Sequence, residues 1–225
     1  MRGVLDLYRT TIGKKAGMAV SGILLFGFVL VHMLGNLHLY QGAERMNAYG
    51  EFLRSIGEPA LGRGEVLWIA RAVLLVAVAL HLWSAWALTR QSWDARPERY
   101  RVRNTIQATY ASRTMRWGGV ILALFVLFHL ADLTLGWTRA GFRHGEPYQN
   151  VVASFSVPWV AGLYIAANLA LGLHLFHGLW SLFQSLGWNN PKFNSWRRRF
   201  ATAFALIITV GNVSFPIAVL MGVVR

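Results

Sequence analysis

The sequence has no cysteine and few charges: Asp, Glu, Lys and Arg together make up 14% of its 225 residues. The missing cysteine excludes disulfides, thiolate zinc sites, iron–sulfur ligation, c-type haem attachment and cysteine nucleophiles within these residues. Soluble domains carry about 25% charged residues, so the shortage of charge indicates a surface that largely faces lipid. Acidic residues are the scarcer sign: nine Asp or Glu stand against 22 Lys or Arg, a formal net charge of +13. Nucleic-acid binding would need those cations gathered on a soluble face. Here they fall between long apolar runs, and no nucleic-acid partner is expected. The side chains left for chemistry are histidines, carboxylates and hydroxyls, with or without a bound cofactor.

What is abundant is apolar, with 55% hydrophobic residues and ten Trp. A helix needs about 20 apolar residues to cross a hydrocarbon core about 30 Å thick. Five segments reach that length, at about 16–40, 67–88, 117–137, 158–186 and 200–224. The expected fold class is therefore an all-α membrane protein with five transmembrane helices, forming one domain over 1–225. The first segment reads as a span rather than a cleaved signal peptide, because its apolar stretch is too long and lacks a small-residue cleavage pattern.

Orientation follows from the basic residues. Fifteen of the 22 fall on one side, in the N-terminal segment with Lys14 and Lys15, the second loop from Arg90 to Arg116, and the fourth loop from Lys192 to Arg199. The positive-inside rule places that side in the cytoplasm, with the N-terminus inside and the C-terminus outside. The second loop, "RQSWDARPERYRVRNTIQATYASR", reads either as a topology signal attracted to lipid headgroups or as a docking surface for a cytoplasmic partner. Trp68, Trp117, Trp137, Trp159 and Trp188 fall near span ends, as interfacial anchors do. Glu44, Glu51, Glu58 and Glu65 recur every seven residues in the first outer loop, which predicts a short amphipathic helix on the membrane surface.

Ionisable residues inside spans are costly and point to function. Four of the five spans carry histidine: His32, His81, His129, and His174 with His177. His32 follows Lys15 by 17 residues and His129 follows Arg116 by 13, roughly 25 Å and 20 Å from the inner edge. His81 precedes Arg90 by nine residues and His174 precedes Gln184 by ten, roughly 14 Å and 15 Å from that edge. The four thus sort into two depths with two histidines each. Facing pairs in the bundle of the first four helices would supply the axial nitrogens of two haem irons, and two haems at two depths would form an electron path across the bilayer. Gathering all four on one zinc or copper ion is disfavoured, since ligand nitrogens must lie about 2 Å from the metal. Gly35, Ser84, Ala85 and Gly178 lie three or four positions after these histidines on the same helical faces, where small side chains admit a flat cofactor or a neighbouring helix. A haem-free transporter or scaffold with helix-bridging histidines is the alternative from another class.

These histidines sit in "TIGKKAGMAVSGILLFGFVLVHMLGNLHLYQG", followed by "MNAYGEFL", in "SRTMRWGGVILALFVLFHLADL" and in "HLFHGLW". Over Thr11 to Trp180 the sequence resembles the cytochrome b558 family, the membrane anchor of two-haem, single-anchor succinate:quinone oxidoreductases. The resemblance implies that His32 and His129 ligate the outer, distal haem b, and that His81 and His174 ligate the inner, proximal one. His174 is preferred to His177 because the family's fourth ligand stands six residues before the Trp of "GLW", here Trp180. It further implies a flavoprotein subunit and an iron–sulfur subunit on the cytoplasmic face of a bacterial inner membrane, electrons from succinate, and a quinone acceptor, menaquinone. The same anchor can serve a fumarate reductase running in reverse, and the complex can form a higher oligomer. A hydrogenase- or nitrate reductase-type cytochrome b would distribute its histidines differently and lacks these motifs.

Quinone reduction consumes two electrons and two protons, so it needs hydrogen-bonding groups. The resemblance places a quinone near the distal haem, which makes Asn36, His38, Tyr40, Glu51 and Glu58 candidates. Asp132 reads as an outer interfacial residue beside Trp137 and Arg139, with a proton group or a partner of His129 as the other readings. Some fumarate reductases of this type carry a Glu two residues before the fourth ligand; here that position is Gly172. Arg113 and Arg116 are candidates for the proximal haem propionates, or serve topology alone.

Overall fold

A computed structural model describes residues 10–95, 110–188 and 190–225. Among them the regular structure is helical throughout: α1 (Thr11–Asn36), a 3-10 turn (Leu37–Gln41), α2 (Ala43–Ser55), α3 (Glu65–Asp94), α4 (Tyr110–Leu133), α5 (Pro147–Phe155), α6 (Pro158–Ser185) and α7 (Pro191–Leu220). Five of these, α1, α3, α4, α6 and α7, are long and apolar enough to cross a membrane. Local chemistry sets the starts. The Thr10 hydroxyl accepts the Gly13 amide at 3.0 Å to open α1, and the Asn190 side chain accepts the Lys192 amide at 2.9 Å to open α7. Pro147, Pro158 and Pro191 occupy first-turn positions where no amide hydrogen is needed.

The helices run past several expected bounds. α7 begins at Pro191 rather than near 200, and α3 continues to Asp94 rather than stopping near 88. Backbone hydrogen bonding does not end where the hydrocarbon ends, so "RRR" and "TRQSWD" extend their helices into the interface. α4 ends earlier than expected, at Leu133, because Gly136 turns the chain at φ +71° while the Trp137 amide bonds back to the Ala131 carbonyl at 2.8 Å. The seven-residue Glu pattern does not mark one helix: α2 carries Glu44 and Glu51, the chain then turns at Gly57, Glu58 lies in that turn, and Glu65 opens α3. The second loop lies outside the described residues except at its ends.

The spans pack as α1 on α3, α4 on α6 and α6 on α7, whereas α1 meets α6 lightly and α3 scarcely touches α4. Two halves, α1–α3 and α4–α6–α7, therefore meet along a seam. The core is concentrated on α6 and α7. The most apolar windows of α6 and α7 are 39% buried, against 6% for α3 and α4. Ala161, Tyr164, Ala201 and Ile208 form its centre, joined by Met33 of α1 and Phe155 of α5. Close approach depends on Gly172, where an added Cβ would collide with Thr209 of α7, and on Gly211, where it would lie 2.8 Å from the Met33 sulfur. All five candidate anchor tryptophans are exposed.

The end of the bundle where α1 begins is called the near end, and the opposite end the far end. At the far end α2 and α5 are tied together: the Asn47 side chain accepts the Tyr148 amide at 3.1 Å and donates to Gln149 Oε1 at 3.0 Å.

Candidate functional site

Two histidine pairs face each other across the seam. His32 of α1 and His129 of α4 have ring centroids 5.8 Å apart and planes at 83°. His81 of α3 and His174 of α6 have centroids 6.3 Å apart and planes at 61°. The first pair lies toward the far end and the second toward the near end, with one member of each pair from either half. His177 makes no ring contact with His81 among the described residues. A metal held between two imidazoles needs two bonds of about 2 Å plus the two ring radii, a centroid spacing of about 6 Å. Both pairs have that spacing. No three His, Asp or Glu side chains converge as a metal-binding group among the described residues, so the histidines stand as pairs.

Other features suit a ligand role. His174 Nδ1 is buried without a hydrogen-bond partner. The backbone is bare beside the near-end rings: Cβ atoms added at Gly22 and Gly119 would stand 3.6 Å from His81 Cε1 and 3.9 Å from His174 Cε1. An added Cβ at Gly178 meets nothing within 4 Å, and Ser84 is fully buried. Gly35 has a different use from the one its spacing suggests. Its missing side chain accommodates Tyr49 of α2, whose ring and hydroxyl would lie 2.7 Å from an added Cβ.

One histidine of each pair faces a hydroxyl of a neighbouring helix. The Ser21 hydroxyl, fully buried on α1, donates to the Gly17 carbonyl at 2.8 Å and faces His81 Nδ1 at 3.2 Å. With its proton on a backbone carbonyl the oxygen can accept from Nδ1–H, the tautomer that leaves Nε2 of His81 with the free lone pair; the Met18 carbonyl is a second backbone acceptor for His81. The same accounting applies at His129. The Tyr164 hydroxyl of α6 donates to Asp132 Oδ2 at 3.0 Å and stands 3.4 Å from His129 Nδ1.

Asp132 is not the interfacial residue its neighbours in sequence suggest. It is 1% exposed, because the turn at Gly136 folds the chain back over it. Thr138 Oγ1 donates to Oδ1 and Ser154 of α5 donates to Oδ2, while the Arg139 guanidinium pairs with Oδ1 at 3.4 Å. Arg139 in turn donates to the Asn150 carbonyl at 3.1 Å. Sequence alone gives no direct pointer to Ser21, Ser154 or Tyr164. The available signal is that a hydroxyl within an apolar span must find a partner.

The five quinone candidates all lie at the far end, but no hydrogen bond, ion pair or ring contact joins any two of them among the described residues. His38 Nδ1 pairs with Gln41 Oε1 at 2.8 Å, and its ring lies 4.8 Å from that of Tyr49. Tyr40 donates to the Ser214 hydroxyl of α7 at 2.6 Å. Glu51 pairs with Arg63 and, at 3.8 Å, with Arg54. Asn36 is half-buried at the start of the 3-10 turn and Glu58 is exposed. At the near end Arg116 lies over the Trp93 ring, 5.6 Å from its centroid, and the side chain of Arg113 lies outside the described residues. The buried contact of Gly172 with Thr209 leaves no room for a carboxylate at that position.

No curated protein and no solved structure matches the chain. A family model does: that of the succinate dehydrogenase/fumarate reductase transmembrane subunit matches residues 90–213, which include His129, Asp132, Tyr164 and His174. That match covers more than half of the 225 residues, and with five apolar spans behind it, the chain belongs to the succinate dehydrogenase/fumarate reductase transmembrane subunit family.

Proposed function

We propose that the chain is the membrane-anchor cytochrome b subunit of a succinate:quinone oxidoreductase, carrying electrons from an iron–sulfur subunit through two haems b to a quinone. The observation that carries this reading is the pair of facing histidine couples, His32 with His129 and His81 with His174, at two levels of one seam. A haem b held by two imidazoles exchanges single electrons and has no open position for O₂. The chain's own residues fix its place: each pair joins the two halves of the bundle, and Ser21 and Tyr164 hold one ring of each pair with Nε2 free. Arg113 and Arg116 supply near-end cations for propionates.

The near end is assigned to the cytoplasm of a bacterial inner membrane, because fifteen of the 22 basic residues belong to the segments of the sequence that join the spans on that side. The flavoprotein and iron–sulfur subunits dock on that face, and the clusters belong to the latter, since this chain has no cysteine. The quinone, menaquinone in this reading, binds at the far end among Asn36, His38, Tyr40, Glu51 and Glu58, and the net direction is succinate oxidation. His38 and Tyr40 can donate hydrogen bonds to its carbonyls, and Glu51 and Glu58 can deliver protons from the aqueous side. The test is a haem assay with reduced-minus-oxidised spectra on the purified complex. Two haems b for each copy of this chain are expected; none, or one, would overturn the proposal.

A further inference from the structure

The buried carboxylate at the far end has no part in the electron path just described, yet four side chains bond to it. Asp132 receives hydroxyls from three separate segments: Thr138 beyond α4, Ser154 of α5 and Tyr164 of α6. Arg139 closes the cluster at 3.4 Å. Such convergence on a 1% exposed carboxylate inside an apolar bundle costs desolvation, which the four partners offset. One of those partners also reaches a histidine. Tyr164 has a single proton, and it goes to Asp132; its oxygen is then an acceptor polarised by a carboxylate, 3.4 Å from His129 Nδ1.

We infer that Asp132 and Tyr164 are positioning residues for His129: the carboxylate holds the tyrosine proton, and the tyrosine oxygen accepts Nδ1–H and directs Nε2 to the far-end iron. This rests on the reading of His129 as a haem ligand. Hydrogen bonding of a ligand imidazole to such an acceptor raises its basicity and favours the oxidised metal. At the near end His81 faces the Ser21 hydroxyl and the Met18 backbone carbonyl, with no carboxylate behind them among the described residues. The carboxylate therefore tunes one of the two centres and leaves the other alone.

The experiment is a spectroelectrochemical redox titration of the purified complex, wild type against Tyr164→Phe and Asp132→Asn, with haem content measured alongside. The far-end step is identified as the one missing in His32→Ala. In both variants it should move to higher potential, by about 59 mV for each tenfold loss of preference for the oxidised state. The near-end step should stay where it is, and haem content should remain at the wild-type value. Asp132→Asn should move the far-end step further, since it leaves the Arg139 charge uncompensated. An unchanged far-end potential in both variants overturns the inference, as does an equal shift of both steps. Loss of all haem in both variants also overturns it, because the cluster would then be holding the fold and not the ligand. A wild type without two haems sinks the underlying reading instead, so the two failures are distinguishable.

Discussion

Replacing Asp132 with Ala removes the acceptor of three hydroxyls and the partner of a guanidinium whose side chain is only 18% exposed. Breaking a mostly buried ion pair from one side costs about 3–5 kcal/mol, chiefly because the remaining charge is left uncompensated. The hydroxyls add to the loss, since Ser154 is fully buried and cannot turn to water, but they belong to the same network and their contributions do not sum. For a chain of this length each kcal/mol moves the thermal midpoint by about 2–4 °C, so a fall of about 6–20 °C is expected. The assay is thermal denaturation of the detergent-solubilised protein. Asp132→Ala combined with Arg139→Met should recover part of the loss, because no unpaired charge then remains. A midpoint for Asp132→Ala within about 2 °C of wild type would mean that the carboxylate contributes less than about 1 kcal/mol, against the burial and bonding described for it.

Two further outcomes follow from the packing. Gly172→Ala should cost about 1–3 kcal/mol, because the new methyl meets Thr209, whose own hydroxyl is bound to the Ala205 carbonyl at 2.7 Å; the check is again the thermal midpoint, with Gly211→Ala milder because the flexible Met33 can yield. Asn47→Ala should cost about 1–3 kcal/mol locally by stripping the Tyr148 amide and Gln149 of their partner, and should appear as faster hydrogen exchange in α2 and α5 with the spans unaffected.

The five spans are legible from hydropathy because lipid imposes a length on apolar runs, and no tertiary information is needed for that. Their ends are less so. Arg197 to Arg199 belong to α7 although the hydropathy reading begins only after them, at 200, since the helix extends through the interface. α5, only nine residues long, escapes such a reading altogether; Pro147 at its start is the one local cue. The two depths of the histidines are readable from their distances to polar residues at the span edges, Lys15, Arg90, Arg116 and Gln184, because helical rise is fixed. Their partners are another matter. Asp132 sits five residues from Trp137 in sequence and so resembles an edge residue, but its burial comes from a fold-back at Gly136 and from Ser154 and Tyr164, which lie 22 and 32 residues away. Gly35 likewise faces Tyr49 of α2 because of how the first outer loop folds, which no helical spacing within α1 contains.

In the proposed function the histidines act as two pairs, each holding one iron. The most direct measurement of that pairing is haem content and low-temperature spectra for His32→Ala, His129→Ala, His81→Ala and His174→Ala, with the double variants inside each pair. His32→Ala, His129→Ala and their combination should all lose the same single haem, and His81→Ala, His174→Ala and their combination should all lose the other. Retention of both haems in any of the single variants, or loss of the same haem from His32→Ala and His81→Ala, would contradict the pairing.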